Sequence, residues 1–114
     1  MDDETFELYK LKVTMLHTET TDGRPAFSKH KNGTSFYVSG ENLIFPADDH
    51  SFPMYALASL LPLLPAKQRT TDPVDWMTTD NIISDPDPHS GLIYKIERLE
   101  KETFKRSDVT AVPL

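Results

Sequence analysis

The chain contains no cysteine, which removes disulfides, zinc–thiolate centres and thiol nucleophiles and leaves the redox compartment open. It also lacks an excess of positive charge. With 18 acidic against 12 basic residues the net charge is −6, and no basic patch stands out, so the expectation is no nucleic acid and no membrane among its partners. No apolar run approaches the roughly 20 residues that a bilayer span needs. The opening MDDETFELYK has no apolar core of the secretory kind, so a cytoplasmic location is expected. Repeats, heptads and low-complexity segments are absent. At 114 residues the chain has the length of one domain, expected over residues 1–104 with a loose tail over 105–114.

The densest apolar stretch is SFPMYALASLLPLLPAKQR, residues 51–69. As a helix it has a natural N-cap in Ser51, a proline in the first turn at Pro53, and Asp48 and Asp49 just upstream at the positive end. Met54, Leu57, Ala58 and Leu61 fall at i, i+3, i+4 and i+7, and Ala56, Leu60 and Leu64 widen the face, which predicts a helix buried on most sides. Pro62 and Pro65 stop it near Leu61 and turn the remainder into a tight, kinked segment.

Strands are expected around it. Tyr9, Leu11, Val13 and Met15 alternate with polar residues, whereas Phe6 and Leu8 fall on the opposite phase, which a bulge near Leu8 would reconcile. Phe36 and Val38, then Leu43, Ile44 and Phe45, read as a hairpin turning over residues 39–42. Ile82 and Ile83 form a short strand, and Leu92, Tyr94 and Ile96 the last clear one. The expected fold class is α+β: a small curled antiparallel sheet or partly open five-stranded barrel in the order β-β-β-α-β-β, with one buried helix. That order matches an OB-fold, although order alone does not define topology.

Three loop clusters carry groups able to do chemistry: Ser28-Lys29-His30, Asp48-Asp49-His50, and Asp85-Pro86-Asp87-Pro88-His89. Two of them combine carboxylates with an imidazole, the pairing used for general acid–base catalysis or for a divalent metal. Each also has a purely structural explanation. Asp48 and Asp49 suit a helix start, residues 85–89 suit a turn, His30 suits a loop, and His17 suits the surface at a strand end.

YKLKVTML, SKHKNG, MYALASLLPLLPAKQR, the run Asp72-Pro73-Val74-Asp75-Trp76-Met77 and SDPDPHSGLIYKIERL together resemble a TIGR-named family of small single-domain bacterial and fungal proteins of unknown function. The resemblance covers residues 9–99. The family's early loop reads Cys-x-x-Gly-His followed by Gly-Asp, and a Cys-Pro-Asp-Pro run precedes its last strand. His30 and Gly33 match that loop, and residues 85–88 overlap the later run. Ser28 and Ser84 stand in place of the cysteines and Thr34 in place of the acid, so a thiol role implied by the family cannot operate here.

Two functional expectations follow. The first is a cofactor-independent lyase, dehydratase or isomerase acting on a small metabolite. Its pocket would lie between the sheet and the helix start, lined by Tyr55, Phe36 and Trp76, with His50 or His30 as acid–base and Asp49 or Asp85 orienting it. The second is a non-catalytic binding or accessory protein, a homodimer through the apolar turn 60–65. A His/Asp metal site is a weaker third; no metal ligands are assigned, and no cofactor is called for.

Overall fold

The computed structural model describes residues 4–48 and 50–114. Two long strands run through its centre. In β1 (Thr5–His17) Leu11, Val13 and Met15 are fully buried while their neighbours are half-exposed, the two-residue period of a strand with one covered face. It pairs antiparallel with β5 (Leu92–Lys105) from Thr5 opposite Lys105 to His17 opposite Leu92. Tyr9 faces Lys101 and Leu11 faces Arg98, so two steps on β1 match three on β5. The irregularity expected near Leu8 is therefore present, with the extra residue on the partner strand.

On its other side β1 pairs with β2 (Ser35–Ser39), and β2 pairs with β3 (Asn42–Ile44). The β2–β3 hairpin turns on two residues, Gly40 and Glu41. Gly40 has φ +59°, at the position where tight hairpin turns call for glycine. β4 (Ile82–Ser84) pairs with β5 at the far edge. The sheet is antiparallel, in the order β3-β2-β1-β5-β4. It is open, with β3 and β4 as edges, so the five-stranded antiparallel sheet that was expected is present and does not close into a barrel. The short edge strands pair with their neighbours but not with each other.

Among the described residues the helices are four and short: α1 (Met54–Leu60), α2 (Leu64–Lys67), α3 (Trp76–Thr79) and α4 (Arg106–Val109). None is long and apolar enough to cross a membrane. The prolines end α1 where expected, with Leu61 as its C-cap, but its N-cap is Pro53 and not Ser51. Nor is α1 buried on most sides. Ala56 and Leu60 are its buried residues, Leu64 continues their line into α2, and Met54, Tyr55, Ala58 and Leu61 face outward. The stripe buried most deeply is thus the one expected only to widen the face, and of the expected face only Leu57 packs partly against the core, because a single open sheet can cover only one side of a helix.

The core joins that stripe to Leu11, Val13 and Met15 of β1, Phe36 and Val38 of β2, and Leu92, Tyr94 and Ile96 of β5. Phe52 seals its end, edge-on to Phe36 with ring centroids 4.8 Å apart and tilted against Tyr94 at 5.6 Å.

Polar anchors hold α2 and α3 to the sheet. Lys67 is only 1 % exposed, yet its ammonium donates to the carbonyls of Met77 and Asp80 and to Asn81 Oδ1. All three donors are satisfied, as a buried cation requires. Burial, and then the neighbouring Arg98 charge, lower its pKa. Arg98 donates to the carbonyls of Lys67 and Arg69 and lies 4.9 Å from the Tyr9 ring centroid. The backbone N–H of Tyr9 is bonded to the Gln68 carbonyl at 2.7 Å. Residues 105–114, expected as a loose tail, include the end of β5 and α4, and Ser107 N–H donates to Glu4 Oε1 at 3.0 Å.

Candidate functional site

Antiparallel pairing brings the connections β1–β2, β3–α1 and β4–β5 to one end of the sheet and the β2–β3 turn, the α1–α2 turn and α4 to the other. A concavity lies at each end.

At the loop end a polar hollow of about 540 Å3 is lined by Lys29, His30, Lys31, Ser35, Asp48 and Ser51, among others. It lies between the sheet and the segment leading into α1, the place expected for an active-site pocket. The loop forming its floor is braced against β1. His17 N–H donates to Asn32 Oδ1 at 2.9 Å and His17 Nε2 donates to the His30 carbonyl at 3.0 Å. Gly33 N–H bonds the Met15 carbonyl, Met15 N–H bonds the Thr34 carbonyl, and the Thr34 hydroxyl reaches the Lys31 carbonyl at 2.7 Å. Gly33, at φ +95°, supplies the left-handed turn.

At the opposite end an apolar groove of about 590 Å3 is lined chiefly by Phe6, Leu8, Leu43, Leu61, Leu64 and Phe104, with Glu41, Asn42, Gln68 and Arg69 as its polar members. Phe6 and Phe104 stack at 5.7 Å from paired positions on β1 and β5. The Gln68 amide donates to the Gly40 carbonyl at 2.7 Å, joining α2 to the hairpin, and Arg69 Nη1 donates to the Pro65 carbonyl at 2.8 Å.

The candidate residues named from the sequence are distributed unevenly over these sites. His30 lines the polar hollow, and His50 is exposed next to its wall residue Ser51. Asp49 lies outside the described residues. Asp85 lines neither concavity. It accepts the Tyr94 hydroxyl at 2.7 Å and Asp87 N–H at 2.9 Å, a bracing role that holds the β4–β5 loop on the core. Burial, and then the bond to Asp85, push the Tyr94 phenol pKa far upward. Phe36 is in the core with no exposure, whereas Tyr55 and Trp76 are 75 % and 76 % exposed. These three do not share a pocket, because Phe36 points into the sheet–helix core while Tyr55 and Trp76 sit on the outward sides of α1 and α3. Asp75 caps α3, accepting from Met77 N–H at 2.7 Å. His89 meets Asp87 at 3.3 Å on the surface of its own loop. Among the described residues no three His, Asp or Glu side chains gather as a metal ligand set.

Of the three loop clusters, then, the first two adjoin and the third stands apart. Missing from the expectation were the groove residues supplied by the strand ends and α4, Phe6, Leu8, Phe104 and Val109. The out-of-phase pair Phe6 and Leu8 was their one signal. Comparison of the chain with family models, with curated proteins and with solved structures gives no match.

Proposed function

We propose that the chain is a non-catalytic binding protein that holds a small, largely apolar ligand in the groove beside the turn 60–65. The observation that carries this reading is the lining. Side chains from β1, β3, α1–α2 and β5 converge on one space of about 590 Å3, within the range of roughly 300–1,000 Å3 usual for small-molecule sites. Its few polar groups, Gln68 and Arg69 among them, are pinned by hydrogen bonds and would orient a ligand without having to be ordered on binding.

The test is titration with an apolar fluorescent dye of the anilinonaphthalene type, on the wild type and on Leu61→Arg. Leu61 is 43 % exposed, so the variant keeps the wild-type melting temperature. Its affinity for the dye falls at least about tenfold, the loss of roughly 1.4 kcal/mol or more. Undiminished binding by the variant would reject the groove. If a second copy of the chain is the occupant, as in the homodimer expected from the turn, sedimentation shows a dimer that Leu61→Arg dissociates.

The convergence of the His30 loop with Asp48 and Ser51 favours a second reading, acid–base catalysis on a small metabolite at the polar hollow. Wild type, His30→Ala and His50→Ala would be screened for dehydration and isomerisation of small hydroxy- and oxo-acids; turnover that survives both substitutions would end it. The family resemblance adds no activity to either reading.

A further inference from the structure

The geometry points to an oxyanion-binding site of the phosphate type in the polar hollow, with Lys29 and Lys31 supplying the charge and Ser35 and Ser51 the flanking hydroxyls. It is independent of the apolar groove and stands whether or not His30 performs chemistry.

The first support is the state of the cations. In a chain of net charge −6, most of the basic side chains near the sheet have a partner. Lys10 and Lys12 lie over the Tyr37 ring, Lys101 and Arg98 over Tyr9, Arg24 pairs with Asp22, and Lys67 is consumed by carbonyls. Lys29 and Lys31 flank His30 on a concave wall, and among the described residues neither ammonium has a carboxylate within 4.0 Å. Asp48 shares the lining without pairing with them. Two like charges on one wall, against a single carboxylate with which neither pairs, leave an excess of positive charge that an anion relieves.

The second support is backbone order. The bonds from His17, Thr34 and Gly33 hold the loop in one shape, so an anion does not have to order it. Of the residues lining the hollow, Lys29 and Lys31 have backbone N–H groups that donate to no described residue. Main-chain donors beside ammonium groups are the usual makings of a phosphate cradle. The hollow of about 540 Å3 is larger than a bare phosphate, leaving room for the organic part of an ester.

The test is a titration of the isotope-labelled protein with inorganic phosphate, followed by amide and His30 ring resonances, against sodium chloride at equal ionic strength. Saturable shifts confined to residues 29–35 and 48–51, with a dissociation constant in the millimolar range or tighter, are expected with phosphate and not with chloride. Lys29→Ala/Lys31→Ala, both exposed positions, leaves the melting temperature unchanged and weakens binding at least about tenfold. Glycerol phosphate binding more tightly than the free ion would identify an ester as the ligand, and equal binding would identify the ion itself. Shifts that chloride reproduces, shifts scattered over the surface, or binding unaltered in the double variant would overturn the proposal. Dye binding in the groove, read by Phe6 and Phe104 resonances, is a separate signal, so failure at one end leaves the other standing.

Discussion

The two concavities are close in size, about 590 and 540 Å3, and differ in almost everything else. The groove is walled by regular structure: strand ends, a hairpin and two helical turns. The hollow is walled by loops, of which the one through His30 and Gly33 is bonded back to β1. One presents aromatic and aliphatic side chains; the other presents ammonium, imidazole and hydroxyl groups. In a small open sheet each kind of site has its own place. Where β1 and β5 outrun β2 and β4 they pair only with each other, and their apolar side chains, Phe6 and Phe104 among them, line the groove beside the helices. Where the longer connections β1–β2 and β3–α1 meet, polar loop residues dominate because loop backbone has to stay near water or find its own partners.

The largest effect is expected at Lys67, whose ammonium ties α2, a wall of the groove, to α3. Lys67→Met removes the charge but orphans the carbonyls of Met77 and Asp80 and the Asn81 amide oxygen. A loss of about 3 kcal/mol in urea unfolding is expected, together with loss of dye binding, while the amide resonances of residues 29–35 stay in place. Equal disturbance of both ends would show that they are not independent.

At the loop end the matching change is Gly91→Ala. Gly91 sits at φ +68°, and a Cβ there would meet Ala26 Cα at 2.9 Å and the Glu19 carbonyl carbon at 3.1 Å. Both neighbours are backbone, so the strain cannot be relieved by a side-chain rotation. A cost of about 2 kcal/mol is expected, with the altered resonances falling in residues 18–27 and 85–91 and the groove untouched.

The smallest effect sharpens the role of Asp85. Tyr94→Phe leaves the packing and deletes the bond to Asp85, for a loss of about 1 kcal/mol at neutral pH. The raised phenol pKa gives this a sign. The protonated phenol is favoured in the fold, so its contribution is complete below the ordinary tyrosine value of about 10 and is lost as pH rises from there through the folded value. Wild-type stability should therefore fall more steeply above about pH 10 than that of Tyr94→Phe; parallel curves would remove Asp85–Tyr94 as a brace.

The strands were legible because each carries its period in adjacent residues. Leu11, Val13 and Met15 need no knowledge of their partner to declare a covered face, and Pro62 ends a helix whatever surrounds it. The phase of α1 was harder to see. Ala56 and Leu60 pack while Met54 and Leu61 do not, although all four are apolar, because the buried side is chosen by where the sheet lies. The sites were legible only in part. His30 and the Asp48–Ser51 segment were marked by composition, but that they adjoin follows from strand pairing across β1, β2 and β3. Asp85 looked like a catalytic carboxylate until the fold placed the Tyr94 hydroxyl against it.

The amino-acid sequence by itself determined the local matters: which segments extend, where the turns fall, where the helix stops, and that no thiol chemistry is available. Those depend on contacts a few residues apart and on residue type. The tertiary structure alone decided that the sheet stays open, that one stripe of α1 is buried, that Lys67 is internal, and that the apolar groove and the polar hollow stand at opposite ends. Each of these is set by groups distant in the chain, Phe6 with Phe104 or Lys67 with Asp80, and such pairs acquire their energy only once folding has removed the water between them.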